Sequence, residues 1–575
     1  MRILNAAQMR AVEQHAIKER GIASFDLMQQ AGRCVVEAID VHFPGTVSVV
    51  VLCGPGNNGG DGWVVARLLH ERGGNVHGLS FAPAGDIGGD ARIALDEAIG
   101  SGVNVTEISD VAAWKRYRTH WGLGDTPAGE EDSVVAPDLI IDALIGTGLN
   151  RPLKGLLEVV VQDVMDGDGL EGTDDRVCVP IVAIDVPSGL SSDTGQRFKG
   201  ASNIWATMTV TFVAPKFPHV LRPAANAVGK LVVAPLEGCD LGGSHAAVLP
   251  PPMVSCVEWK DFQRRNFKHG FKGLVARNSR TITDYHKGQF GRVSIVAGSV
   301  GKTGAAQLAG LGALRGGAGL VTMAVPEACV GRVTHIPEYM TFGLPDRDGT
   351  VTGEGVDALL DVPCDVIAVG PGLGTGPGPL ALVKSLLERS DIPLVLDADA
   401  LNVLAGHGGQ QTFSGHGRAA IVITPHPGEF ARLIGLSVEA VQCDRVLVAQ
   451  QFAVARKIYV VLKGAQTVVA TPAGGVSINT TGNPGMATGG SGDVLTGVIA
   501  AGIAQVLTEI PLAQRSLASA CEEEVTMAIQ FAVHLHGLAG DLAATDIGET
   551  GLIASDIAAY LGRAVLDLSQ SDTAL

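Results

Sequence analysis

The residues best placed to do chemistry in this chain are Asn483-Pro484-Gly485-Met486-Ala487-Thr488-Gly489-Gly490-Ser491-Gly492-Asp493. This glycine-rich run ends in a carboxylate and passes directly into the small, apolar, helix-compatible residues 494–503. Unpaired N–H groups at a helix start, with the helix dipole behind them, attract anions, and glycines let a phosphate approach the backbone closely. A carboxylate at the mouth of such a hole repels phosphate unless it has a task. The task that suits it is to take a proton from a hydroxyl that attacks phosphorus. Read alone, the loop also fits a tight turn with Asp493 as the helix N-cap. Two further groups join it. Lys463 opens Lys463-Gly464-Ala465-Gln466-Thr467 after the apolar run 459–462 and suits a phosphate contact, or a solvated lysine at a strand end. His426 stands in Thr424-Pro425-His426-Pro427-Gly428-Glu429, which in isolation is equally a rigid surface turn.

The first half of the chain carries a second set. The mostly β-branched run 47–53 ends in Gly54-Pro55-Gly56-Asn57-Asn58-Gly59-Gly60-Asp61-Gly62 and leads into the apolar residues 63–69. A strand, a glycine-rich loop and a helix form the layout of a nucleotide-type site at a sheet's carboxyl edge. The motif is neither the G-x-G-x-x-G fingerprint nor a Walker sequence. Two amides and one carboxylate on a glycine frame suit ribose hydroxyls or a hard cation. Residues 138–141 lead to Asp142-Ala143-Leu144-Ile145-Gly146-Thr147-Gly148-Leu149-Asn150-Arg151-Pro152, and residues 180–184 lead to Asp185-Val186-Pro187-Ser188-Gly189-Leu190. Each acid alone could cap a helix; three polar strand ends together point to one shared pocket.

The elements that must position these groups alternate. Apolar residues at helical spacing predict helices over 6–20, after an Asn5 cap, and over 24–42. In the second half, strands are expected over 292–297, 366–369, 394–396, 420–423 and 459–462, each followed by a polar or glycine-rich turn. Strands alternating with helices imply parallel sheets with helices on both faces, an α/β fold. Gly301-Lys302-Thr303-Gly304 imitates a P-loop, but the spacing between its glycines is wrong. His534 and His536, two apart on a predicted helix, diverge and do not chelate a metal. At 575 residues the chain needs more than one domain, and 46% hydrophobic against 18% charged residues implies large cores. A net charge of −17 argues against a nucleic-acid or anionic-membrane partner. Nine scattered cysteines without paired spacing, and no signal-peptide core, suit a reduced, cytoplasmic protein. Periodicity fails over 238–290, where Pro250-Pro251-Pro252 precedes a basic stretch from Lys260 to Arg280. The expected division is therefore a domain over 1–240, a solvated linker over 241–285, and a domain over 286–575. Residues 122–133, 166–176 and 508–526 look like surface insertions.

The three motifs of the first half together resemble the NAD(P)H-hydrate epimerases, a match running to about residue 237. The resemblance implies a Rossmann-like α/β/α domain and a potassium site. Asn58, Asp142 and Ser188 match the potassium ligands, and Asn57 to Asp61, Gly146 to Pro152 and Asp185 match the substrate contacts. From His286-Lys287-Gly288-Gln289-Phe290-Gly291 onward the chain resembles the ribokinase-like superfamily, and within it the NAD(P)H-hydrate dehydratases. That likeness implies a second three-layer α/β/α domain using Mg2+ with ADP. Lys463 to Thr467, Asn483, Gly489, Gly490, Ser491 and Gly492 match nucleotide contacts. Ala305, Gly374, His426, Pro427, Gly428, Glu429, Arg432 and Asp493 match hydrate contacts.

These resemblances imply repair of NADH or NADPH whose nicotinamide ring has taken up water. One half would interconvert the R and S hydrates. The other would dehydrate the S form at the expense of ADP, giving AMP and phosphate. Asp493 is the expected base of the second half and Asp185 the acid–base residue of the first. A homo-oligomer is expected. The rival reading is a small-molecule alcohol kinase fused to a nucleotide-binding scaffold. The product separates the two, because such a kinase accumulates a phosphorylated alcohol, whereas a dehydratase releases phosphate and restores the absorbance of reduced nicotinamide.

Overall fold

The structure, a computed structural model, describes residues 1–118, 137–166, 179–239, 241, 253–258, 261–262, 286–407, 419–510 and 521–570. The chain divides into two compact units, one spanning residues 2–251 and the other 252–575.

In the first unit, β-branched runs form a parallel sheet. Its strands lie in the order Asn104–Glu107, Asn75–Ser80, Ser48–Cys53, Leu139–Ala143, Ile181–Ile184, Met208–Phe212 and Lys230–Ala234. Side chains alternate across a strand, and the central strand shows the result. Val49, Val51 and Cys53 join one apolar core, whereas Val50 and Leu52 join another on the opposite face. Helices Ala6–Arg20, Ser24–His42, Asn57–Glu71 and Gly89–Ser101 supply buried residues to the first core, and helix Leu156–Asp166 to the second. This is a three-layer α/β/α domain. Asn5 caps the first helix as its sequence implies, accepting from Gln8 N and donating to the Gln8 side chain.

The second unit is also three-layered, but its sheet is mixed. Strands Tyr339–Leu344, Leu320–Pro326, Arg292–Val296, Val366–Val369, Leu394–Leu396, Ile421–Ile423 and Tyr459–Leu462 run parallel. Val468–Ala470 and Val476–Asn479 then turn back in two antiparallel pairings, because connections of only a few residues allow hairpins but not crossovers. A parallel strand, Val254–Val257, pairs with Val476–Asn479. The expected linker over 241–285 is therefore corrected: residues 254–257 belong to the C-terminal sheet, and Phe262 packs edge-on against Phe531. A four-residue strand between a triple proline and a basic run is too short to show periodicity. Residues 242–252, 259–260 and 263–285 of that linker, with most of the basic stretch, lie outside the described residues, as do 122–133, 167–176 and 511–520.

One helix start also differs from expectation. The helix after the first glycine run begins at Asn57, not after the loop, so Gly59, Gly60 and Gly62 are helical. They are glycines for space: a Cβ on Gly59 would lie 1.9 Å from Gly54 O, and one on Gly60 would lie 2.5 Å from the Met28 methyl. Among the described residues the cysteines are all free, and no helix is long and apolar enough to cross a membrane.

If residues 254–262 are structural in this way, expressing 252–575 and 286–575 separately should give two melting curves. The longer fragment is expected to unfold cooperatively at the higher temperature. Equal melting temperatures would return the segment to linker status.

Candidate functional site

The C-terminal ends of the parallel strands in the second unit carry its polar groups, as the topology of such sheets requires. Helix Ser491–Leu507 is buried throughout from Val494 to Leu507, and its first turn meets this edge. Its N-cap is Gly490, in the left-handed region at φ 93°, with no side-chain cap. The turn reading of Asp493 as N-cap is thus corrected: Asp493 lies inside the first helical turn. Gly490 takes the cap because the chain must reverse there with positive φ, a conformation costly for residues with a Cβ. The Asp493 carboxyl is pushed up to about 7, first by burial and then by the charges of Asp397, Glu429 and Asp399, with Lys463 opposing.

Lys463 ends strand Tyr459–Leu462, and its Nζ donates to Asp397 Oδ1 at 2.6 Å. Asp397 is 1% exposed and also accepts from Thr496 Oγ1 at 2.7 Å. The turn that follows Lys463 is held by Arg445, which donates to the carbonyls of Leu462, Lys463 and Ala465 at 2.7–3.1 Å. Thr467 Oγ1 closes the same turn on Gly464 O at 3.2 Å. Asp541 anchors the other loop, accepting from Gly482 N at 2.8 Å and from Asn483 Nδ2 at 3.0 Å. Gly489 is exposed beyond it, and Ser491 O is met by His536 Nε2 at 3.0 Å.

His426 caps helix Pro427–Ile434 in a reciprocal box. Its Nδ1 accepts from Gly428 N at 3.0 Å while Glu429 accepts from His426 N at 2.9 Å. The rigid-turn reading holds, since Nδ1 is spent on the cap, and the ring itself remains half-exposed. Arg432 donates to Asn402 Oδ1 at 2.8 Å. Asp399, at the start of Asn402's helix, accepts from Gly374 N at 2.9 Å and Lys302 Nζ at 3.2 Å. The loop holding Gly374 also touches the start of helix Thr303–Arg315, where a Cβ on Gly372 would lie 3.1 Å from the Ala305 Cβ. Among the expected residues, Lys463 is tied by Asp397, its turn by Arg445, Gly374 by Asp399, Arg432 by Asn402 and Asn483 by Asp541, supports to which the sequence reading gave no role. Asp397 and Asp399 stand in Asp397-Ala398-Asp399 directly after the apolar run 394–396, and two acids at a strand end were the available signal; the residue between them has φ 48°.

In the first unit, Asp142 is fully buried within strand Leu139–Ala143 and accepts from Ser188 N at 2.7 Å and Ser188 Oγ at 2.6 Å. Burial pushes its carboxyl up to about 6, against the pull of those hydrogen bonds. Asn58 lies against Gly146, where a Cβ would sit 2.7 Å from Asn58 Oδ1, and Asn58 Nδ2 is buried without a partner. Ser192 Oγ holds the following loop through Thr147 O at 3.0 Å. Leu149 is turned into the core, while Gly148, Asn150, Arg151 and Pro152 are exposed along with Asn57.

Asp185 has φ 63°, unusual outside glycine, and its Oδ1 accepts from Lys216 Nζ at 2.6 Å and Thr211 Oγ1 at 2.9 Å. Burial works most strongly against its ionised form, but Lys216, His219 and Thr211 together outweigh it, and the carboxyl is held below its ordinary value. Lys216 is itself fully buried. The sequence reading missed it; a lysine in the apolar run 212–221 was the available signal. Asp61 is pushed well above the usual carboxylate range by burial, then by Asp185 and Glu13; Glu13 rises to about 7 by burial, then by Asp185. Among the described residues no three His, Cys, Asp or Glu side chains are grouped to hold a metal ion.

A carboxylate in the first turn of a glycine-capped helix, at the polar edge of a mixed sheet between helices, marks a ribokinase-like domain, accompanied by a Rossmann-like domain with its own polar edge. Comparison with known proteins is specific. Residues 293–563 match the family described as NAD(P)H-hydrate dehydratase, and residues 24–217 match the YjeF-related protein N-terminus. The bifunctional NAD(P)H-hydrate repair enzyme of Moorella thermoacetica is 38% identical, over 99% of this chain and 98% of its own length. That of Escherichia coli is 33% identical, over 97% and 93%. An ADP/ATP-dependent NAD(P)H-hydrate dehydratase from Bacillus subtilis, co-crystallised with ATP and Mg2+, is 31% identical with a TM-score of 0.41, covering 51% of this chain and 96% of that one. The chain belongs to the bifunctional NAD(P)H-hydrate repair enzymes. It joins an epimerase to a nucleotide-dependent dehydratase, an isomerase and a lyase in one polypeptide.

Arg445 supports the turn through backbone carbonyls alone, and leaving buried acceptors unpaired costs about 1–3 kcal/mol each. Arg445→Met is expected to lower the melting temperature and to weaken nucleotide binding, measured by calorimetric titration. Unchanged nucleotide affinity in the folded variant would separate the turn from the nucleotide site.

Proposed function

We propose that Asp493 is the general base of dehydration and that ADP is the phosphoryl donor, brought in as its magnesium complex. The observation that carries this reading is Asp493 in the first turn of a glycine-capped helix, with a carboxyl raised to about 7. A base whose pKa lies near the working pH is both ionised and a good proton acceptor. The hydrate bears its hydroxyl on the carbon next to the ring nitrogen. Asp493 takes the hydroxyl proton as the oxygen attacks the terminal phosphorus, and AMP departs. The N–H groups of Gly489 to Gly492, with Lys463 and the turn to Thr467, hold the nucleotide phosphates. Hydroxide is a poor leaving group and phosphate a good one. The ring-nitrogen lone pair therefore expels phosphate, and loss of a proton from the neighbouring carbon restores the double bond. Ala305, Gly374 and His426 to Arg432 would contact the hydrate across the same edge.

In the first unit the reading assigns proton exchange at the carbinol to Asp185, with Lys216 balancing its charge. Asn57 to Asp61 and Gly146 to Pro152 would receive the substrate. Asn58, Asp142 and Ser188 offer oxygen donors, and the fully buried Asp142 carboxylate, raised by burial with no cation among the groups that act on it, fits a nearby potassium ion. Such an ion would restore charge balance at Asp142 and fix the loop geometry. The same reading places the protein in the cytoplasm as a homo-oligomer.

Asp185→Asn should abolish conversion of the R hydrate while dehydration of the S hydrate continues, followed by reduced-nicotinamide absorbance with separated epimers. Because the change strands a buried lysine, a loss of about 3–5 kcal/mol is also expected. The double variant Asp185→Asn, Lys216→Met should recover folding but not epimerisation. A double variant that still epimerises would move the role elsewhere.

Asp493→Asn should cut dehydration by at least about 100-fold, since a positioned base contributes roughly 10²–10⁴-fold. Nucleotide affinity should hold or rise as charge repulsion is relieved. In the native enzyme turnover should climb through pH about 7 as Asp493 ionises. Stability has the opposite sign. A carboxyl raised above its unfolded value weakens the fold as pH climbs from about 4 to the folded value. The variant should therefore melt higher than the native protein above pH about 7 and match it near pH 4. Near-normal turnover in the folded variant would end this account of the loop. With ADP as donor, AMP and phosphate should appear in equal amounts with restored absorbance.

A further inference from the structure

Asp397 is the most enclosed acid at the dehydratase edge. It follows strand Leu394–Leu396, its backbone N donates to Val369 O at 3.0 Å, and its carboxylate is 1% exposed. One oxygen takes the Lys463 ammonium at 2.6 Å and the other takes the Thr496 hydroxyl at 2.7 Å. Thr496 lies one turn beyond Asp493 on the same helix. A Cβ on Gly492 would lie 3.0 Å from Lys463 Nζ and 3.9 Å from Asp397 Oδ2, so the pair sits directly against the first turn. Asp397 therefore ties the lysine of one loop to the helix that presents the base.

Four charged groups act on Asp493: Asp397 and Asp399 from the end of strand Leu394–Leu396, Glu429 from helix Pro427–Ile434, and Lys463 from strand Tyr459–Leu462. On the other side of the turn, His536 from helix Glu522–Ile547 meets Ser491 O. The lysine is the only cation in this set. Were its Nζ on Asp493, that carboxyl would resemble Asp185, whose direct lysine pair holds it below its ordinary value.

We propose that Asp397 is a positioning residue of the dehydratase: by keeping Lys463 Nζ on its own carboxylate, it denies Asp493 a direct counter-charge and so preserves it as a proton acceptor. This rests on Asp493 being the base. Asp397 need touch neither hydrate nor nucleotide, and it acts through the lysine and through its own negative charge. Removing that charge has two effects of one sign. The acid beside Asp493 disappears, and Lys463 is released toward Asp493, so the base ionises more easily and becomes weaker.

The test uses the full-length protein with the S hydrate and ADP, following turnover against pH. Asp397→Asn keeps the shape and an acceptor oxygen for Lys463 or Thr496. Its acid limb is expected to move down by about one pH unit or more, with a lower plateau. Lys463→Met removes the one cation that acts on Asp493, so with ADP at saturation, because Lys463 is also read as a phosphate contact, its acid limb should move up. It also serves where Asp397→Asn folds poorly. An acid limb unmoved in either folded variant overturns the proposal. Asp493→Asn, run alongside, tells the two readings apart. If it is inactive while the limbs stay fixed, only the role of Asp397 falls; if it stays active, the base assignment falls with it.

Discussion

The close contact of two helices that carry almost no side chain between them sets the position of everything at the dehydratase edge. A Cβ on Gly497 would lie 1.9 Å from Ala309 O, and one on Gly312 would lie 2.2 Å from Val494 O. Helix Ser491–Leu507 is therefore pressed backbone to backbone against helix Thr303–Arg315, and neither can slide without a steric collision. Its buried length leaves one end free to meet solvent, and that end holds the Gly490 cap and Asp493. The placing of that end thus comes from apolar packing well away from it, and any chemistry there needs such placing.

The polar supports follow the same logic on a smaller scale. The loops at this edge expose backbone carbonyls and amides that no sheet partner reaches, and each is tied by one buried or half-buried charged side chain. Arg445 takes three carbonyls of the lysine turn, Asp541 takes an amide and a side-chain amide of the glycine loop, and Asp399 takes the amide of Gly374. Burying such charges is tolerable because each is spent on several hydrogen bonds. Loops fixed in this way need little reordering when nucleotide arrives.

Much of this was legible in the residues themselves. The strands Val366–Val369, Leu394–Leu396 and Tyr459–Leu462 follow from short β-branched runs before glycine or polar turns, and the glycine loops marked the backbone sites. What escaped notice falls into two kinds. Strand Val254–Val257 is too short to display a period, and its place depends on a partner more than 200 residues away, Val476–Asn479. The supporting charges Lys216, Asp397, Arg445 and Asp541 sit in runs that read as ordinary strand ends or helix faces. Their role exists only through contacts distant in sequence: Lys463 with Asp397, or Arg445 with the turn after Leu462. Backbone geometry is written locally as glycine, whereas electrostatic support is written in the fold.

The two units show how far that support decides chemistry. Each has a buried aspartate at a strand edge, a lysine within reach, and further acids nearby. In the first unit the lysine lies on Asp185 itself, at 2.6 Å, and the carboxyl is held below its ordinary value, while Asp61 and Glu13, without that partner, rise. In the second the lysine lies on Asp397 at the same 2.6 Å, and Asp493, left among acids, rises to about 7. Burial penalises every one of these carboxylates, so it does not distinguish them. The distinguishing variable is which acid takes the cation. A carboxylate held as an anion by a lysine is always free to take a proton, whereas one poised near neutrality takes it more strongly but is ionised over a narrower pH range. One lysine, moved by one hydrogen bond, is enough to turn the same residue type to either use.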